Sequence, residues 1–245
     1  MEKENLIYGL RPVIEAIKSG KEIEKIFIQN GLRGEIYIEL FQLLKENDVH
    51  SQYVPVEKLN KLTPKNHQGI VAYTSIISYT KVESVIPFIY EHGKTPLILI
   101  LDRITDVRNF GAITRTAECA GVDAIIVPTR GSAQINSDAV KTSAGALHKI
   151  PVCKSDNLKE TIDFLKKSGL QIIAATEKTD DFHFKTDFTP PTAIIMGSEE
   201  DGVSPEYLRL CDHKVKIPLN GEIESLNVSV ACGIILYEAL RQRAI

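Results

Sequence analysis

From position 97 onward the chain repeats one pattern: a short apolar run, a polar loop, then a stretch with helical periodicity. The runs Leu97–Leu101, Asp123–Val127, Leu170–Ala175, Thr192–Met196 and Lys214–Ile217 read as strands, with helices between them. Strands alternating with helices in this way predict an α/β fold built on a parallel sheet with helices on both faces. A dinucleotide-binding fold is the obvious member of that class. Its G-x-G-x-x-G fingerprint is missing after Leu97–Leu101, where Asp102-Arg103-Ile104-Thr105-Asp106 stands instead.

The first part of the chain reads as a separate, smaller α/β unit. Residues 6–19 predict a helix with Leu10, Val13, Ile14 and Ile17 on one face. Strand patterns follow at Glu24–Gln29, Val49–Val54 and Ile70–Ile77, with helices over Gly34–Asn47 and Val56–Leu62. The predicted division is a domain over 1–77, a linker with an entry helix over 78–94, and a second domain over 95–245. The Pro87 and His92-Gly93-Lys94 punctuation suggests the linker.

Bulk properties narrow the function classes. A formal net charge of −3 carries no global basic signature, so any nucleic-acid contact has to come from a local face. The four cysteines, Cys119, Cys153, Cys211 and Cys232, form no C-x-x-C pair and do not cluster with the histidines. Free core thiols in a reducing compartment are expected, and no metal site. Met1-Glu2-Lys3-Glu4-Asn5 lacks the apolar core of a secretion signal, and no apolar run approaches a membrane span. A cytoplasmic protein without membrane association is the expectation.

Three polar, glycine-bearing loops follow predicted strands, where open α/β sheets bind ligands. The first is Asp106-Val107-Arg108-Asn109-Phe110-Gly111-Ala112-Ile113-Thr114-Arg115. The second is Met196-Gly197-Ser198-Glu199-Glu200-Asp201-Gly202-Val203. The third, Ile217-Pro218-Leu219-Asn220-Gly221-Glu222-Ile223-Glu224-Ser225-Leu226-Asn227-Val228-Ser229, holds more polar residues than a strand-to-helix connection needs. Ser225 and Asn227 are both favoured helix N-caps, which accounts for one of them but not both.

Together these loops resemble the motifs of the SpoU (TrmH) family of RNA 2′-O-ribose methyltransferases, in the knotted SPOUT class. Asn109 and Arg115 match the first motif, Gly197, Glu199 and Gly202 the second, and Ser225-Leu226-Asn227-Val228-Ser229 the third. Arg130-Gly131-Ser132-Ala133-Gln134-Ile135-Asn136 and Ala144-Gly145-Ala146 resemble the RlmB branch, which acts on a guanosine in 23S ribosomal RNA. The chain departs from the family at Val107-Arg108, where Pro-His is common, and at Glu200-Asp201, which makes the second loop more acidic.

The resemblance implies a C-terminal trefoil-knotted methyltransferase domain on a parallel sheet. It also implies an N-terminal L30e-like RNA-binding domain and a homodimer. It implies S-adenosylmethionine as cosubstrate and no metal. Its catalytic set maps onto Arg115, Asn109, Glu199, Ser225 and Asn227. Its cofactor-binding set maps onto Gly197, Ile217, Leu226, Leu219, Met196 and Thr176. RNA contacts are expected from Arg11, His67, Gln68 and Arg108. Lys18, Lys21, Lys25, Arg33, Lys58, Lys61 and Lys65 are further phosphate candidates, though nearby acids make a mixed soluble surface an equal reading. A guanosine of 23S rRNA is the expected target. The alternatives are another rRNA, a tRNA, or an RNA-binding homologue without catalysis.

Overall fold

The computed structural model describes residues 5–47, 49, 51–133 and 135–244. The chain forms two compact units, Met1–Ser78 and Tyr79–Ile245.

In the first unit, β1 (Leu6–Tyr8), α1 (Leu10–Lys18), β2 (Ile23–Gln29), α2 (Glu35–Glu46), β3 (Ser51–Val54), α3 (Val56–Leu62) and β4 (Ile70–Thr74) build a four-stranded sheet in the order β1-β4-β2-β3. Alternation along β2 sorts its two faces. Ile26 and Ile28 pack with Val13, Ile14, Leu40 and Leu44 of α1 and α2, while Phe27 packs with Val54, Leu59 and Val71. The helix expected over 6–19 is shorter, because Leu6–Tyr8 pairs antiparallel with Val71–Tyr73 and Gly9 turns the chain at φ +90°. Pro12 falls in the first turn of α1, where its missing N–H costs nothing.

The second unit contains β5 (Tyr79–Thr80), α4 (Val82–Glu91), β6 (Leu97–Leu101), α5 (Val107–Cys119), β7 (Ala124–Pro128), α6 (Ser137–Thr142), β8 (Val152–Ser155), α7 (Leu158–Lys167), β9 (Gln171–Ala175), β10 (Thr192–Met196), α8 (Pro205–Leu208), β11 (His213–Val215) and α9 (Val228–Arg243). Its seven strands run parallel in the order β11-β9-β10-β6-β7-β8-β5. The stretch expected to be linker and entry helix belongs to this unit. Tyr79 and Thr80 pair with Val152 and Cys153, and Val82, Val85, Ile86 and Ile89 of α4 are buried in its core. β8 had no strand expectation, since Val152-Cys153-Lys154-Ser155 is short and half polar.

The sheet order brings the functional loops together. β10 inserts beside β6, in register from Thr192↔Leu97 to Met196↔Leu101, so their carboxyl ends lie side by side. After β11 the chain runs along residues 181–183: Lys216 N donates to Asp181 O, and His183 N donates to Lys216 O. It then enters α9, which packs on α5. The Arg243 guanidinium pins the far end of α9 by donating to the carbonyls of Phe188, Thr95, Pro96 and Pro190. Among the described residues no helix is long and apolar enough to cross a membrane.

Candidate active site

The site is built at the carboxyl ends of β6, β9, β10 and β11. Asp106 caps α5, its Oδ1 accepting from the backbone N–H of Arg108 and Asn109 at 2.8 Å each. Capping by Asp106 leaves the Asn109 side chain free for other partners. Asn109 Nδ2 donates to Glu199 Oε1, and Asn109 Oδ1 accepts from Asn227 Nδ2 at 3.1 Å. Asn227 in turn caps α9, its Oδ1 accepting from Ser229 N at 2.9 Å and from Ser229 Oγ. One residue from each of the three loops is thus joined in a single hydrogen-bonded chain.

Glu199 projects from a tight hairpin. Ser198 and Gly202 exchange backbone hydrogen bonds at 3.2 and 3.0 Å. A Cβ on Gly197 would come within 2.0 Å of Gly202 C and Val203 N, so only glycine fits there.

Beside the cluster lies a cleft of about 1120 Å³. Met196, Gly197 and Thr176 line it from the strand ends, and Ile217, Leu219, Ser225 and Leu226 from the third loop. Leu219 and Leu226 are exposed apolar side chains. The backbone amides of residues 219–226 make no hydrogen bond among the described residues. The lining combines apolar side chains with backbone N–H groups that no protein acceptor takes, so it offers a ligand both contact area and hydrogen-bond donors. Ser225 is exposed and makes no hydrogen bond among the described residues.

Arg115 is placed differently. It follows Asn109 by six residues on α5, roughly 9 Å along the axis and about 240° around it. It is exposed, does not line the cleft, and makes no hydrogen bond or ion pair among the described residues. Cys119, one turn further, shares that outer side; the core thiol expected there is exposed, because the buried side of α5 runs through Phe110, Ile113, Thr114 and Ala117. Cys153 and Cys232 are buried, and burial pushes both thiols up to about 12. On α9, next to α5, Val230 and Tyr237 are each 51 % exposed. Arg108 is exposed on the first turn of α5.

In the first unit, Arg11 is exposed. His67 is only 8 % exposed, with Nε2 paired to Asn60 Oδ1 and Nδ1 accepting from Gly69 N. It therefore supports the turn from inside. Gln68 is the presented residue, held at φ +50° with its Oε1 accepting from Leu10 N. Lys25 and Lys58 lie 5.0 and 4.8 Å from the Phe27 ring centre, and Lys65 lies 5.7 Å from that of Tyr8. No cluster of three His, Cys, Asp or Glu side chains placed to hold a metal occurs among the described residues.

Sequence reasoning registered Asp102 and Arg103 only as the place where a glycine fingerprint is missing. Asp102 is 1 % exposed, and its Oδ2 accepts from Ser204 N and Oγ at 2.7 and 2.6 Å. A carboxylate directly after an all-apolar strand was the available signal, since a buried charge demands partners.

Known proteins resemble this chain over nearly its whole length. The model of the SpoU rRNA Methylase family matches residues 96–237, and that of RNA 2′-O ribose methyltransferase substrate binding matches residues 6–80. A Staphylococcus saprophyticus protein named for the TrmH family of tRNA/rRNA methyltransferases is 35 % identical over 98 % of this chain and 97 % of its own length. Bacillus subtilis YacO, named for the same family, is 31 % identical over 99 % and 97 %. Among solved structures, the SpoU methyltransferase AviRb from Streptomyces viridochromogenes in complex with AdoMet superposes with a TM-score of 0.62 at 26 % identity, covering 98 % of this chain and 90 % of that one.

Proposed function

Because the chain belongs to the SpoU rRNA methylase family, we propose that it moves a methyl group from S-adenosylmethionine to a ribose 2′-hydroxyl of ribosomal RNA, a guanosine of 23S rRNA being the target. The convergence of Asn109, Glu199 and Asn227 beside the large cleft carries the reading.

The cleft fits the cosubstrate. Met196, Gly197, Thr176, Ile217, Leu219 and Leu226 would hold it, with the backbone amides of Leu219, Asn220, Glu224, Ser225 and Leu226 available to its polar edges. When bound it supplies an already activated methyl group on a sulfonium. The protein's task is then placement of the ribose oxygen in line with that methyl. Asn109 and Asn227 give the site a fixed polar wall, and Glu199 is oriented from it. Ser225, exposed in the cleft lining, is free to bond to ribose or cosubstrate. Arg115 would grip a phosphate through paired hydrogen bonds and stabilise negative charge developing on the 2′-oxygen.

Arg115 is exposed and does not line its own chain's cleft, which supports a homodimer in which it serves the partner's site. Val230 and Tyr237 form an apolar outer face on the neighbouring helix for such a contact. The return of the chain from β11 past residues 181–183 to α9 is in keeping with a trefoil knot. RNA would meet Arg108 beside the site, and Arg11 and Gln68 on the first unit.

The test is transfer of radiolabel from S-adenosylmethionine to deproteinised 23S rRNA, 16S rRNA and bulk tRNA. Label in 23S rRNA at one alkali-resistant dinucleotide is the expected result. Label only in tRNA would overturn the substrate and keep the chemistry. No transfer and no cosubstrate binding would overturn the reading.

A further inference from the structure

Arg103 stands in the left-handed region at φ +60°, a conformation that a non-glycine residue adopts only where its surroundings enforce it. Each of its three guanidinium nitrogens has a partner. Nε donates to Asp102 Oδ1 at 3.2 Å, Nη1 to Asp201 Oδ2 at 3.0 Å and Nη2 to Gly202 O at 3.2 Å. Asp102 is itself fixed, since its N–H donates to Met196 O and its other oxygen holds Ser204. The end of β6 therefore ties down the far arm of the 198–204 hairpin at Asp201, Gly202 and Ser204. The near arm carries Glu199, held at its tip by Asn109.

Part of this arrangement is structural, since Arg103 is the charged partner of the buried Asp102 carboxylate. The Arg103–Asp201 pair is largely exposed, so solvent screens it, whereas the left-handed backbone is a fixed cost. The hairpin also carries Glu199, Glu200 and Asp201 in succession, three like charges that repel. Asp201 is the last of these three charges, and Arg103 pairs with it. Arg103 further borders both the large cleft and a smaller cavity of about 290 Å³ lined by Thr105, Asp106 and Ser198 to Asp201.

We propose that Arg103, with Asp201 as its counterpart, is a positioning residue that holds the hairpin so that Glu199 meets Asn109 at the reaction site. The inference rests on the methyl-transfer reading. It predicts an effect on turnover that runs through Glu199 and leaves cosubstrate binding intact.

The experiment compares Arg103→Gly, which accepts φ +60° without strain and removes the whole side chain, with Arg103→Lys, which keeps the stem and the charge. Both are measured in the wild-type and Glu199→Gln backgrounds by single-turnover methylation, KM for RNA, calorimetry with S-adenosylmethionine, and hydrogen exchange. Arg103→Gly should lower kcat about ten- to a hundredfold, the cost of a misplaced group, while KM and cosubstrate affinity stay within about twofold. Arg103→Lys should recover part of the loss. In the Glu199→Gln background Arg103→Gly should add nothing, because the two residues act as one unit. Amides of 198–204 should exchange faster in Arg103→Gly while the strands keep their protection.

Unchanged kcat, an additive loss in the Glu199→Gln background, or unchanged exchange in the hairpin would each overturn the proposal. If wild-type protein methylates no RNA, the methyl-transfer reading falls, and the exchange arm still decides whether Arg103 holds the hairpin.

Discussion

The two ends of α5 are built on opposite principles. At its start, Asn109 is locked between Glu199 and Asn227, and every member of that chain is fixed by a capping bond or a hairpin. Six residues later, Arg115 stands exposed with no partner among the described residues. One region has its geometry set by the fold. The other leaves a cation exposed, as its proposed role toward RNA phosphate requires. Polar groups meant to orient a substrate gain from being fixed in advance, whereas an arginine meant for phosphate must arrive uncommitted.

Mutation should separate the two ends. Arg115→Ala should lower kcat/KM about a hundred- to a thousandfold, the range seen when one oxyanion-stabilising donor is lost, with thermal stability and cosubstrate affinity unchanged. Arg115→Lys should not restore it, since a point charge does not reproduce a paired grip. A large fall in melting temperature for Arg115→Ala would break the comparison. On the fixed side, Asn227→Ala removes both the α9 cap and the link to Asn109. It should cost stability, about 1 kcal/mol, as well as activity, and a thermal melt beside a rate assay checks both.

Tyr237→Glu should convert dimer to monomer in sedimentation, and activity should fall with it even though Tyr237 does not line the cleft. The smallest effect concerns thiol chemistry. Cys119, on the Arg115 side of α5, should react readily with a thiol reagent near pH 8 in the monomeric variant and more slowly in the dimer. Cys232, buried and pushed up to about 12, should stay inert in both.

Much of the scaffold was legible. Leu97–Leu101 and Thr192–Met196 appear where expected because short, predominantly apolar runs bounded by polar loops leave little choice. β8 was not, since its four residues carry no periodicity, and β1 was hidden inside a helical pattern that Gly9 interrupts. The motif residues were legible one by one. Their meeting was not, because it depends on β10 inserting next to β6, a matter of sheet order with no trace in local spacing. The same holds for Arg103, whose partners lie 98 and 99 residues away. Nor did motif spacing reveal that Asn109 and Arg115 face different ways; that follows from helix geometry only once α5 is known to run unbroken through both.

Mixed dimers test the central claim most directly. Protein carrying Arg115→Ala is combined with protein carrying Glu199→Ala, subunits are exchanged at equal concentration, and methyl transfer is measured. If Arg115 serves the partner's site, half the dimers are mixed and each holds one intact site of two, so activity should rise to about a quarter of wild type. Activity no higher than that of either parent would place Arg115 at its own chain's site and contradict the account.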